Sequence, residues 1–177
     1  MLIRPLSSGD AAAFCFLQRS ASQQPPSSDE PIMSDMYVRD ADESCETLRS
    51  TAIRSTFGAF NKTELIGVAS VQCHAIFEQR YVAHIWGVFV ARHHRNTGVA
   101  KLLLAAAIAY AKSMQDVTCI SLSVAADNVA AINLYRSLGF RETGSIFDDP
   151  LHEDVLQMGL FREATDAFDS ATSLPAR

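Results

Sequence analysis

The sequence predicts an α/β (α+β) fold: one mixed, mostly antiparallel sheet of six to seven strands with helices on both faces. Three observations carry this. Short apolar runs are interleaved with stretches whose apolar residues recur every three or four positions. One strand–helix–strand succession, residues 81–124, calls for a parallel pair joined by a right-handed crossover. The other apolar runs follow each other across short polar turns, as antiparallel neighbours do. The order read along the chain is β-α-α-β-β-β-α-β-α-β-β.

Residues 1–6 are a short apolar run with Pro5 near its end, which suits an edge strand. Ser7-Ser8-Gly9-Asp10 offers an N-cap to a helix over 11–20 that turns Phe14, Leu17 and Ala13 inward. Residues 21–34 carry Pro25, Pro26 and Pro31 among Ser, Gln and acidic residues, a loop long enough to be either a lid or an exposed connector. A second helix is predicted over 42–55, with Cys45, Leu48 and Ala52 inward. Residues 56–60 and 64–77 read as a hairpin about Asn61-Lys62-Thr63. Both faces of its second strand are apolar, so that strand is central.

Residues 81–90 form a strand that is apolar on both faces except at His84. A helix over 98–113 places Val99, Leu102, Leu103, Ala106 and Tyr110 on one stripe, and its many alanines favour the helical state. Residues 117–124 are the next strand. Asp127-Asn128 caps a helix whose stripe is Ala131, Leu134, Tyr135 and Leu138, and Gly139 sits where a helix end favours positive φ. Residues 140–147 and 155–161 pair across Asp148-Asp149-Pro150. One domain over 1–161 is followed by a polar, alanine-rich tail, 162–177.

The chain of 177 residues, 48% aliphatic, aromatic or cysteine, suits one sizeable core. A net charge of −5 argues against a nucleic-acid partner and is compatible with a cationic substrate. Cys15, Cys45, Cys73 and Cys119 are far apart and form no CxxC pair, so neither a zinc site nor a disulfide framework is expected. Cys73 and Cys119 lie in strands and read as small buried apolar residues. No long apolar segment follows Arg4, and no window is long enough to cross a membrane; a reduced, cytoplasmic location is expected.

The chemistry centres on Arg95-Asn96-Thr97-Gly98-Val99-Ala100, a turn between the strand ending at Val90 and the helix continuing through Lys101. The first amides of a helix have no internal partner, and its dipole is positive there, so this turn suits an anion. Three stretches together resemble the GNAT superfamily of N-acetyltransferases. Arg95-x-x-Gly98-x-Ala100 is similar to that family's Gln/Arg-x-x-Gly-x-Gly/Ala acyl-CoA signature. Trp86-Gly87-Val88-Phe89-Val90 matches its preceding strand, and Asn128-x-x-Ala131-x-x-Leu134-Tyr135-x-x-Leu138-Gly139-Phe140 its later helix. The resemblance covers residues 1–161 by element order and is strongest over 83–140. Asn96 departs from it, standing where many members have glycine; Asn tolerates such dihedrals.

The resemblance implies acetyl-CoA as donor and an amine, small-molecule or peptide, as acceptor; the charge, the length of the apolar windows and the Cys and His spacing lead to no expected nucleic-acid, membrane or metal partner, and a homodimer is left open. It implies that the backbone of Val88, Phe89 and Val90 pairs with the pantetheine arm, that the Val88 amide meets the oxyanion, and that pyrophosphate lies on amides of Asn96, Thr97, Gly98, Val99, Ala100 and Lys101. Arg95 adds charge beside the phosphates or is a solvated surface group. Asn128 fixes the pantetheine, caps its helix, or does both. Tyr135 matches the general acid, although its stripe position also suits a core tyrosine. A phenol has a pKa of about 10 and a thiol about 8.5, so a hydrogen bond to the leaving thiolate serves better than full proton transfer.

His84 falls where some relatives carry a glutamate base, and an imidazole with a pKa of about 6.5 can take a proton directly or through water. The alternative is a hydrogen-bonded core histidine. His93 and His94 precede the phosphate turn and read as solvated, with phosphate contact as a lesser role. His74 and His152 read as surface or strand-end residues. Amine selection falls to the 21–34 loop, the second helix and Asp148-Asp149; Asp29, Glu30 and Asp35 either attract a cation or are solvated. Trp86 and Val124 are expected to shape the acyl end. A non-catalytic acyl-CoA-binding module and a transferase for larger acyl groups are the alternatives.

Overall fold

The computed structural model describes residues 1–22, 48, 50–76, 80–114, 116–144 and 155–162. Its strands are β1 (Leu2–Pro5), β2 (Arg54–Asn61), β3 (Glu64–Ile76), β4 (Arg80–Val90), β5 (Val117–Ala125), β6 (Arg141–Glu142) and β7 (Val155–Phe161). Among the described residues, the helices of more than one turn are α1 (Ala11–Ser22), α2 (Val99–Ser113) and α3 (Val129–Ser137). One seven-stranded sheet runs β1-β2-β3-β4-β5-β7-β6. Among the described residues only β4 and β5 pair in parallel; every other strand pair is antiparallel. The mixed sheet, the edge position of β1 and the interior position of β3 are as the apolar patterning requires.

The two sheet faces bury different helices. Phe14 and Leu17 of α1 pack with Leu6, Leu48, Phe60, Leu65, Val68 and Phe89. On the other face Leu103, Leu104, Ala107 and Ala111 of α2, with Ile132 and Tyr135 of α3, meet Ala69, Val71, Ala83, Ile85, Leu122 and Val124. Side chains alternate along a strand. With Ala83 and Ile85 in the α2 core, His84 and Trp86 therefore face the opposite way.

Two features of β4 open the sheet beside α3. Its ladder with β3 passes from Ser70↔Trp86 to Val68↔Phe89, which leaves an extra residue on β4. Gly87, at φ 61°, supplies the left-handed backbone for this bulge. The ladder with β5 runs from Tyr81↔Val117 to Ile85↔Leu122 and stops there, although β5 stays paired to β7 as far as Ala125↔Val155. Beyond Ile85 the two parallel strands therefore splay into a V.

Several expectations are corrected. The predicted second helix does not extend over 51–55: Thr51 bridges back to Arg54, and Arg54 and Ser55 already belong to β2, where the ladder with Val71 and Gln72 outweighs local helix propensity. Ala52 is consequently exposed, whereas Leu48 is buried. Leu102 is 46% exposed, because the buried stripe of α2 is Val99, Leu103, Leu104, Ala107 and Ala111. Phe140 is a buried residue before β6, and β6 itself is only two residues long. Cys45, Asp29, Glu30, Asp35, His152, residues 145–147, the Asp148-Asp149-Pro150 turn and the tail from 163 onward lie outside the described residues, as does most of the 21–34 loop.

Candidate active site

The turn after β4 is built from short-range bonds. The His94 amide donates to the Ala91 carbonyl at 2.8 Å, and the Thr97 hydroxyl donates to the His94 carbonyl at 2.6 Å. Asn96 and Gly98 adopt positive φ, 60° and 84°. The two left-handed residues bend the chain so that α2 starts at once, and its first ladder bond is Leu102 N to Gly98 O at 3.2 Å. The amides of the preceding turn are left without helical acceptors, as at any helix start. A methyl group placed on Gly98 would meet nothing within 4 Å, so the backbone is open to a ligand at that point.

Arg95 is held against the end of β4. Its Nε donates to the Val90 carbonyl at 3.1 Å, and its guanidinium lies 5.8 Å from the Phe89 ring centroid. The side chain thus ties the turn to the end of β4. The Arg95 and Lys101 cations both line the adjoining cleft.

This cleft, about 380 Å³ in volume, lies between the end of β4, the turn and α3. Val88, Phe89, Val90, Arg95, Asn96, Gly98, Val99, Ala100, Lys101, Asn128 and Tyr135 all line it, joined by His94, Ala130, Ala131 and Leu134. Thr97 does not, since its hydroxyl folds back on the turn. Neither Trp86 nor Val124 is among the lining residues, and Val124 is buried in the α2 core. Leu134 reads from its spacing as core alone, yet it also forms cleft wall. The Gly87 bulge is absent from the sequence-based expectations, although a glycine inside an apolar strand is its usual signal.

Asn128 is fully buried. Its Oδ1 accepts the Ala131 amide at 2.9 Å and so starts α3, while its Nδ2 has no acceptor among the described residues. An unpartnered buried donor is costly, and a ligand carbonyl in the cleft would relieve it. Tyr135 is 4% exposed, packs edge-on against Phe140, and has its phenol pKa pushed up to about 12 by desolvation. It therefore stays a neutral hydrogen-bond donor.

His84 is outside the cleft lining. It stands opposite Ser121 in the parallel ladder, one register step before the V opens, with Nδ1 3.1 Å from Ser121 Oγ. His74 and His93 are exposed. Among the described residues no cluster of His, Cys, Asp and Glu is arranged to hold a metal ion, and no helix is long and apolar enough to cross a membrane.

A family model described as the acetyltransferase (GNAT) family matches residues 17–140. No curated protein matches the sequence. Among solved structures, the chain is similar to a GNAT-family acetyltransferase of Streptococcus pneumoniae, at 24% identity and TM-score 0.73 over 90% of this chain and 98% of that one. It is similar to the ribosomal-protein-alanine N-acetyltransferase of Brucella melitensis, at 25% identity and TM-score 0.73 over 92% and 100%. A Salmonella typhimurium protein solved with its cofactor acetyl-CoA shares 23% identity and TM-score 0.72 over 94% and 98%. The family model spans both the positive-φ turn and the Asn128–Tyr135 wall of the cleft, and the chain belongs to the GNAT family as an acetyl-CoA-dependent acetyltransferase.

Proposed function

We propose that the protein transfers an acetyl group from acetyl-CoA to a primary amine, on a small molecule or a peptide, by direct attack in a ternary complex. One observation carries this: a single cleft unites amides released by two left-handed residues, an Asn128 Nδ2 with no acceptor among the described residues and a desolvated Tyr135, beside two splayed parallel strands. The residues suit the donor. The amides from Asn96 to Lys101, with the Lys101 and Arg95 charges, would hold its pyrophosphate; Val88, Phe89, Val90 and Asn128 would hold its pantetheine. Acetyl-CoA supplies a thioester-activated acyl group there.

The chain's own residues then divide the work. Val88, just past the Gly87 bulge, offers its amide to charge developing on the acyl oxygen. Tyr135 donates a hydrogen bond to the departing sulfur. Burial pushes its phenol up to about 12, above a thiol at about 8.5, so it stabilises the thiolate without giving up its own proton; the proton shed by the amine nitrogen on attack reaches the thiolate through solvent. His84 faces the side of the sheet away from α2, at the closed end of the V. A chain threaded through the V presents its end to that face, where His84 takes the ammonium proton directly or through water. The buried thiols Cys73 and Cys119 fit a reducing cytoplasm.

The test is continuous thiol release from acetyl-CoA across a panel of small amines and peptide N-termini. Amine-dependent, saturable release supports the reading. Release that no amine accelerates, despite acetyl-CoA binding, contradicts it.

A further inference from the structure

We infer that Ser121 is a positioning residue for His84: its hydroxyl oxygen accepts the Nδ1 proton and holds the ring in the tautomer with its lone pair on Nε2. This rests on the proposed role of His84 in the acceptor step. Register, burial and the chemistry of the pair each lead to it.

His84 and Ser121 are direct partners in the parallel β4–β5 ladder, and Ser121 is in turn paired to Gly159 of β7. Ser121 is therefore clamped from both sides, one step before β4 leaves β5. It is also 8% exposed, on the face of β5 opposite to the core residues Ile120 and Leu122. A buried hydroxyl is costly unless it is hydrogen-bonded, and the imidazole at 3.1 Å meets that need.

A serine oxygen has two lone pairs and one proton. If it accepts from Nδ1–H, the same bond serves the neutral ring and the imidazolium formed when Nε2 gains a proton. If instead the hydroxyl donated to Nδ1, the Nε2 atom would carry hydrogen and could not act as a base, and every protonation would require the hydroxyl to turn. Among the described residues, the titratable groups facing His84 from the packed strands are His74 of β3 and Cys119 of β5. Arg54 of β2 lies one strand further along the same row, through Gln72. Burial raises the Cys119 thiol, so it adds no charge.

The test is imidazole ¹⁵N NMR of His84 in the wild type, Ser121→Ala and Ser121→Thr, beside the pH dependence of kcat/KM. The expected wild-type ring is the Nδ1–H tautomer. Ser121→Ala should mix the tautomers, lower the acidic apparent pKa, and reduce kcat about three- to tenfold with the acetyl-CoA KM unchanged. Ser121→Thr, which keeps the hydroxyl, should restore all three. A wild-type ring protonated on Nε2, or a His84 spectrum unchanged by Ser121→Ala, overturns the inference. The base reading fails separately, if His84→Ala keeps the wild-type pH profile; the tautomer still decides what Ser121 does.

Discussion

The Asn128 side chain binds the Ala131 amide through its oxygen at 2.9 Å while its nitrogen, equally buried, has no acceptor among the described residues. One amide group thus caps a helix and leaves a donor beside the cleft. Asn128→Ala removes both and should lower stability by about 1 kcal/mol while weakening coenzyme A binding. Asn128→Ser keeps a capping oxygen and loses the donor, so it should recover most of the stability and none of the affinity. Thermal melts and calorimetric titration check this; coenzyme A affinity restored by the serine would show that Nδ2 is not used.

Gly98 separates backbone strain from packing. Its φ of 84° disfavours any side chain, yet a Cβ there would touch nothing. Gly98→Ala should cost about 1 kcal/mol in the unliganded protein. Its methyl group would also stand where phosphate oxygens approach, so coenzyme A affinity should fall at least about tenfold, beyond the strain alone. Equal losses in stability and in binding would place the phosphates elsewhere.

Tyr135 is held neutral by burial, at a pKa of about 12. Tyr135→Phe should lower kcat by on the order of 10²-fold, leave acetyl-CoA affinity unchanged, and keep the wild-type shape of the pH–rate profile, because the phenol does not titrate in the working range. Steady-state kinetics from pH 6 to about 10 test it. Unchanged turnover removes Tyr135 from the reaction.

What was legible in the sequence was local. The apolar run of β4, the positive-φ glycine at 139, the Asn128 cap and the stripe of α3 each lie within a few residues of their causes. What was not legible depended on distant partners. The His84–Ser121 contact joins residues 37 apart and requires the parallel register. Thr51–Ser55 looks helical by propensity but is claimed by a ladder with β3. Leu102 fits the apolar spacing of α2 but falls outside the arc that the sheet covers. Thr97 belongs to the motif, yet its hydroxyl serves the turn and not the cleft.

Asp10 gives a pH test independent of the cleft. Its carboxylate takes two bonds from Arg4, at 2.7 and 2.8 Å, and bonds from the Ser7 amide and hydroxyl, each at 2.9 Å. The Arg4 guanidinium, ahead of Ser7, holds its pKa well below the usual carboxylate range. A depressed pKa contributes stability above the unfolded value of about 3.9 and loses it as pH falls further. The Tm advantage of the wild type over Asp10→Asn should therefore be constant from pH 7 to about 5 and shrink towards pH 3. An advantage that does not vary with pH would mean that the ion pair contributes nothing.

A crystal structure with acetyl-CoA tests most directly whether the turn from Arg95 to Lys101 and the splayed strands beside it form one donor site. Pyrophosphate oxygens are expected on the amides between Asn96 and Lys101, with pantetheine along Val88–Val90 and within reach of Asn128 Nδ2. Pyrophosphate bound away from that turn, or pantetheine outside the V, would contradict it.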